Sequence, residues 1–216
     1  MKVWKSLGLK FRKRIPSFAK RWVRLARHAM AAPAQASHRL PPELLTECRV
    51  CASRYELLKH LPRKARVAEI GVEHGRFSQH ILSVTDPSEF HLVDLDFGAL
   101  SPELRRDPRV SIRQGYSHEV LNSFADDSFD WIYIDADHSY EGVKRDANAA
   151  AAKVRPGGFL IFNDFAHVDP FLGRYGVHRA VVEFAIARKW PFVWLAYEPH
   201  GLYDVALQRP AGSIVH

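Results

Sequence analysis

The sequence predicts an α/β domain, doubly wound, whose mostly parallel seven-stranded sheet ends in an antiparallel hairpin. Three observations predict it. From residue 65 onward, five apolar runs alternate with helical patterns. A glycine turn follows the first run, and acidic residues close several of the others. The last two runs lie too close together in sequence to be parallel.

The five central strands are predicted at 66–71 (RVAEIG), 90–94 (FHLVD), 109–113 (RVSIR), 130–135 (DWIYID) and 158–163 (GFLIFN). Helices are predicted between them, near 75–84, 99–106, 117–124 and 140–153. Such alternation buries a parallel sheet between two helical layers, a Rossmann-like arrangement. A helix near 176–189 leads into VWLAYE (193–198), a Pro-His-Gly turn at 199–201, and LYDVALQR (202–209). A parallel pair needs a crossover of about a dozen residues, so these two strands are predicted to form a hairpin. Residues 42–61 are predicted as a helix packed on the domain's edge.

Charge divides the chain. Residues 1–42 hold Lys2, Lys5, Lys10, Arg12, Lys13, Arg14, Lys20, Arg21, Arg24, Arg27 and Arg39 and no acid. The whole chain carries a formal +7, so with +11 in that segment the remainder carries −4. We therefore expect a basic leader and linker over 1–41 and a mildly acidic domain over 42–216. In the leader, Trp4, Leu7, Phe11, Ile15, Phe18, Trp22 and Leu25 recur at helical spacing, with basic residues opposite. Pro16 is expected to break this pattern into two short helices. No run approaches the roughly 18 apolar residues that span a bilayer, and the leader lacks a signal-peptide core. Two cysteines, Cys48 and Cys51, imply no disulfide framework and no complete zinc site. The expected location is cytoplasmic. The leader's interleaved aromatic residues favour the inner face of an anionic membrane over nucleic acid.

The first strand runs into EIGVEHG (69–75). Glycines at a strand-to-helix turn let a ligand approach the backbone closely. Asp94 and Asp96 end the second strand about twenty residues later, where an acid can accept the ribose hydroxyls of a nucleoside. The turn is not the dinucleotide fingerprint, because the second glycine position holds Glu73. A carboxylate there would repel a pyrophosphate. It suits a cationic ligand, and this disfavours a nicotinamide-dependent oxidoreductase.

Taken in order, Glu69-x-Gly71-x-x-x-Gly75, Asp94, Gly115-Tyr116-Ser117, IDADHSYE (134–141), Pro156-Gly157-Gly158 and Asn163-Asp164 resemble the class I S-adenosylmethionine-dependent methyltransferases. The pattern is closest to the branch of small-molecule and sugar O-methyltransferases with IDxDHxY after the fourth strand. The resemblance covers about two thirds of the chain. It implies that Glu69 and Gly71 line the methionine part of S-adenosylmethionine, that Gly75 belongs to the cofactor site, and that Asp94 holds the ribose. It further implies that Gly115, Tyr116 and Ser117 lie near the adenine and Asp135 near the reactive end. Relatives often carry an acid where Tyr116 stands, so Tyr116 is expected to stack on the base instead.

Asp135, Asp137 and His138 follow the fourth strand and Asp164 ends the fifth. The carboxyl ends of adjacent parallel strands open on one crevice, which brings these residues together. Methyl transfer to a hydroxyl requires loss of the acceptor's proton. His138 could take it as general base. Alternatively Asp135 and Asp164 could bind Mg2+, which would acidify the acceptor. Metal-dependent O-methyltransferases of the catechol type resemble this arrangement but carry an Asn after the second Asp, where this chain has Phe165. A structural reading competes: Asp135 as the cap of the helix starting near Tyr140, Asp164 as a loop anchor, His138 as a satisfied histidine. The aromatic loop 165–177 is expected to cover the acceptor. The leading functional reading is an O-methyltransferase acting on a small molecule, sugar or membrane-associated glycan. The alternative is a non-catalytic methyltransferase-like module tethered to membrane or nucleic acid by its leader.

Overall fold

The computed structural model describes residues 39–169, 173–198 and 203–212. The expected leader helices, the turn at 199–201 and the tip of the 165–177 loop lie outside them. The described chain runs from a 3-10 turn (Pro42–Leu44) through β1 (Arg49–Cys51), α1 (Arg54–Leu58), β2 (Arg66–Ile70), α2 (Arg76–Thr85) and β3 (Glu89–Asp94). It continues with α3 (Pro102–Arg106), β4 (Val110–Gln114), α4 (Ser117–Asn122), β5 (Phe129–Ile134), α5 (Tyr140–Ala151) and β6 (Val154–Phe162). Two-residue strands β7 (Val168–Asp169) and β8 (Gly173–Arg174), then α6 (Val177–Arg188), β9 (Phe192–Tyr197) and β10 (Tyr203–Gln208), complete it.

The sheet order is β1-β9-β10-β6-β5-β2-β3-β4. The doubly wound class and the closing hairpin are as expected: β10 is antiparallel to both β6 and β9, while β2 pairs in parallel with β3 and β5. Among the described residues the sheet has eight strands rather than seven. Residues 42–61 are not one helix. Their middle forms β1, which pairs in parallel with β9 through Arg49–Trp194, Val50–Leu195 and Cys51–Ala196. The reason lies in β9, whose outer backbone groups would otherwise face solvent as an open edge. The CxxC therefore does not share a helix face, since Cys48 precedes β1 and Cys51 ends it. Cys51 packs into one apolar layer and Cys48 against the other. Both thiols are free, and burial raises their pKa.

Strands buried on both faces must be apolar at consecutive positions. β5 shows this: Ile132 and Ile134 belong to the layer under α5 and α6, Trp131 and Tyr133 to the layer under α1, α2 and α3. Fully buried side chains of this size contribute about 2–3 kcal/mol each. Serines fix where the helices begin. The hydroxyls of Ser53, Ser101 and Ser139 accept the backbone N–H of Glu56, Leu104 and Gly142, satisfying first-turn donors of α1, α3 and α5. Ser139, and not Asp135, therefore caps α5. No helix among the described residues is long and apolar enough to cross a membrane.

The chain reverses its winding at β2, which has β3 on one side and β5 on the other. There the Gly71 N–H donates to the Val93 carbonyl at 2.8 Å and the Asp135 N–H donates to the Ile70 carbonyl at 2.7 Å. Gly71 has φ +88°, and a Cβ on it would lie 2.1 Å from the Asp135 carbonyl oxygen. Glycine is thus required by both backbone and space. Two residues on, Glu73 occupies the left-handed region at φ +52°. L-residues pay about 1–2 kcal/mol there, whereas glycine does not. Glycine's greater freedom in the unfolded chain offsets part of that gain. Glu73→Gly is expected to raise the unfolding free energy by about 1 kcal/mol in urea titration. An unchanged or lower midpoint would show that Glu73 is not strained.

Candidate active site

A cleft of about 840 Å3 opens over this reversal. It is lined by Glu69, Gly71, Asp94, Gly115, Tyr116, Ser117, Asp135 and His138 among others, so it gathers seven of the eight residues expected at the cofactor. Gly75 is the exception. At φ +76° it precedes α2, and a Cβ on it would lie 2.3 Å from Leu104 Cδ1 and 2.7 Å from Leu100 Cδ1. Lacking a side chain, it lets Leu100 and Leu104 pack against the turn.

At the inner end Glu69 is 2% exposed, and its Oε2 accepts the Ser78 hydroxyl. Burial pushes this carboxyl up to about 8, against the Ser78 hydrogen bond and with the charges of Asp135 and Asp94 adding to the rise. Asp94 Oδ2 accepts the N–H groups of Val72 and Glu73 at 2.8 and 3.0 Å, and Oδ1 accepts that of Asp96 at 3.2 Å. Asp94 therefore pins the glycine turn, including the strained Glu73. Three of its roughly four acceptor positions are used. The expectation that it takes both ribose hydroxyls narrows accordingly: one acceptor position on Oδ1 remains, with Asp96 also lining the cleft. At the outer rim Leu95 and Tyr116 stand 46% and 59% exposed, two apolar surfaces suited to enclosing a flat base.

At the other end His138 Nε2 lies 3.3 Å from Asp135 Oδ1 and 3.4 Å from Asp164 Oδ2. The nitrogen is enclosed, and neither contact is an aligned hydrogen bond. Charge holds the three groups together. Burial acts to lower the His138 pKa, but the Asp135 and Asp164 carboxylates outweigh it and the net shift is upward. Asp164 is not on the cleft wall. It stands behind His138 in a left-handed conformation, φ +58°, and burial raises its own pKa. Backbone strain of this kind persists where surrounding contacts enforce it, commonly at functional sites. The 165–177 loop packs onto the cluster: the Tyr175 ring lies 4.8 Å from that of His138, and the Gly176 N–H donates to the His138 carbonyl at 2.9 Å. Phe165 is buried against His178 and Phe192.

The Mg2+ expectation receives no support. Among the described residues no three His, Cys, Asp or Glu side chains are disposed around a metal position. The imidazole of His138, a potential cation, stands between the two carboxylates that would have been its ligands. Asp137 is diverted too: its Oδ1 accepts the Ser139 N–H at 2.9 Å.

Three neighbours of the site, Tyr133, Asp204 and Arg54, were not legible as such, and Asn163 stood out only as part of the Asn163-Asp164 pair. The Tyr133 hydroxyl donates to Asp204 Oδ2, and Asn163 Nδ2 donates to Asp204 Oδ1 at 2.9 Å, all three side chains being buried. Burial pushes Asp204 up to about 7, opposed by the Tyr133 hydrogen bond and the charge of Arg54. Arg54 itself lines the cleft, its guanidinium 4.4 Å from the Phe77 ring centroid. Its positive charge acts on Glu69, Asp164 and Asp204. An acid inside the apolar strand YDVALQ was the one available sign of Asp204. For Arg54 no pattern pointed inward.

Comparison with known proteins agrees with this geometry. Residues 68–165 match a family model described as methyltransferase domain. No curated protein matches the chain. Among solved structures, the pyocyanin biosynthetic protein PhzM is similar at 14% identity, with a TM-score of 0.58 over 73% of this chain. The M1A22 tRNA methyltransferase TrmK of B. subtilis is similar at 17% identity, with a TM-score of 0.55 over 74%. An O-methyltransferase family protein from Burkholderia thailandensis is similar at 15% identity, with a TM-score of 0.53 over 74%. The chain spans 54%, 66% and 56% of those proteins' lengths. At these identities the likeness is one of fold. The family match spans the motifs from the glycine turn to Asp164, and the two together are consistent with a class I S-adenosylmethionine-dependent methyltransferase domain.

Proposed function

We propose that this chain transfers the methyl group of S-adenosylmethionine to a hydroxyl of a small molecule or sugar. The observation that carries the choice of oxygen is His138 between Asp135 and Asp164 at the end of the cleft. When bound, the cofactor supplies an electrophilic methyl on a sulfonium. The protein's residues do the rest. Glu69, ionised, would pair with the ammonium of the amino acid tail, and Leu95 and Tyr116 would enclose the base. Asp94 and Asp96 would accept from the ribose. His138 would take the acceptor's proton, and the flanking carboxylates would stabilise the imidazolium so formed. The loop carrying Tyr175 would limit water at that end. A membrane-associated glycan as acceptor, and contact of residues 1–30 with an anionic inner membrane face, belong to the same proposal. They rest on the basic, aromatic-rich leader.

Isothermal titration with S-adenosylmethionine tests the first half. The folded protein is expected to bind it. Asp94→Ala removes a ribose acceptor and frees the turn N–H groups, so affinity is expected to fall at least about tenfold, each charge-assisted hydrogen bond being worth about 1.5–3 kcal/mol. No binding by pure folded protein would end the proposal. Methyl transfer unaffected by a chelator is the expected companion result.

A further inference from the structure

One buried acid beside the site has no part in the roles above. Asp204, on β10, is fully buried, and β10 pairs with β6, the strand that leads into Asn163 and Asp164. A carboxyl in an apolar strand is costly unless its oxygens are used. Here both are. Oδ2 accepts the Tyr133 hydroxyl, and Oδ1 accepts Asn163 Nδ2 at 2.9 Å. Asn163 Nδ2 also lies 3.4 Å from the Tyr133 hydroxyl oxygen, so the nitrogen end of the amide is committed to this pair. A carboxamide carries its donors on one end and its acceptor on the other. The Asn163 oxygen therefore points away from Asp204 and Tyr133. Its influence falls on His138, whose charged form it favours together with Asp135 and Asp164. Asn163 is 8% exposed, so protein groups rather than water decide which way its amide turns.

We propose that Asp204 is a positioning residue for His138: it holds the Asn163 carboxamide with its oxygen toward the imidazole, so that the ring, once protonated, meets an acceptor and not a donor. The role rests on the reading of His138 as general base. Without Asp204 the amide is free to turn its nitrogen toward the ring, where an N–H opposes the imidazolium. The groups that face this chain come from several elements. Asp135 after β5, Asp164 after β6 and the Tyr175 ring face His138. Tyr133, Asp135 and Arg54 act on Asp204, and Arg54 and His167 act on Asp164.

The His138 titration in the ligand-free full chain, followed by NMR and assigned by the signal missing from His138→Ala, tests this. Asn163→Ala removes the acceptor, and the His138 pKa is expected to fall by about one pH unit, near the worth of one hydrogen bond to a charged group. Asp204→Ala is expected to give the same fall, and the double variant no further one. Asp204→Asn keeps an oxygen for Asn163 Nδ2 and offers an amide hydrogen to the Tyr133 oxygen, so His138 is expected to titrate as in wild type although the charge is gone. If Asp204→Ala does not fold, Tyr133→Phe/Asp204→Ala, which leaves no hydroxyl unpaired, carries the same expectation. Equal falls in Asp204→Asn and Asp204→Ala, or shifts that add in the double variant, mean that Asp204 acts through its charge, and overturn the proposal. An unchanged His138 pKa in Asp204→Ala overturns it too. The titration needs no cofactor, so its outcome is separate from failure of the protein to bind S-adenosylmethionine, which would end the methyl-transfer reading itself.

Discussion

Replacing His138 by Ala is expected to slow methyl transfer by about 10²–10⁴-fold, the usual contribution of a positioned general base, with affinity for S-adenosylhomocysteine essentially unchanged. The pH–rate profile carries the sharper information. A general base works only when unprotonated. Asp135 and Asp164 hold the imidazolium, so burial notwithstanding, the His138 pKa lies above the usual value of 6.5. The rate should therefore rise with pH through a pKa above 6.5 and level off beyond it. Asp164→Asn removes one of the two carboxylates, and the acid limb should move to lower pH. Imidazole proton resonances followed by NMR in the ligand-free protein should show the same displacement, independently of any acceptor. A profile unmoved by Asp164→Asn, or a His138→Ala protein with full turnover, would assign His138 a structural role.

The fold was largely legible because its central strands are buried on both faces. β2, β3, β5 and β6 are near-continuous apolar runs between helices, and such runs have few other uses in a chain with no membrane-spanning helix among its described residues. β1 was not legible. Three residues, Arg49–Cys51, carry no period, and they become a strand only because β9 presents an open edge in the folded sheet. The site divides in the same way. Acids and glycines at strand ends follow from topology, so Glu69, Gly71, Asp94, Asp135 and His138 appear together in the cleft. Residues delivered from helices depend on packing. Gly75 turned out to serve helix packing, and Arg54 reaches the cleft only through the placement of α1. Asp146, which also lines the cleft, left one trace: it falls on the buried stripe of α5 with Val143, Ala147 and Ala150, an acid where the helix should be apolar.

The affinity of the ligand-free protein for S-adenosylhomocysteine is expected to rise about tenfold per pH unit on approaching pH 8 from below, and Glu69→Gln should abolish that dependence. Below about 8 the buried Glu69 carboxyl holds its proton. Pairing with the ligand's ammonium requires the ionised form, so binding must release one proton. Above about 8 Glu69 is already ionised in the empty cleft and the ligand keeps its ammonium, so affinity should level off there. Calorimetry at pH 7 in buffers of different ionisation enthalpy should count close to one proton released by wild type and none by Glu69→Gln, whose affinity near pH 8 should be about 100-fold weaker. Stability moves the opposite way. The folded pKa of about 8 exceeds the usual 4.5, so the folded protein holds a proton that the unfolded chain gives up. Stability is therefore intact below about 4.5 and declines as pH rises through that interval to about 8, by up to about 5 kcal/mol. Glu69→Gln carries no such loss. It should melt close to wild type at pH 5 and above it at pH 9, so the residue that binds the ligand's cation is also one that weakens the empty fold. A variant less stable than wild type at pH 9, or wild-type binding with no proton release, would show that Glu69 is already ionised in the empty cleft.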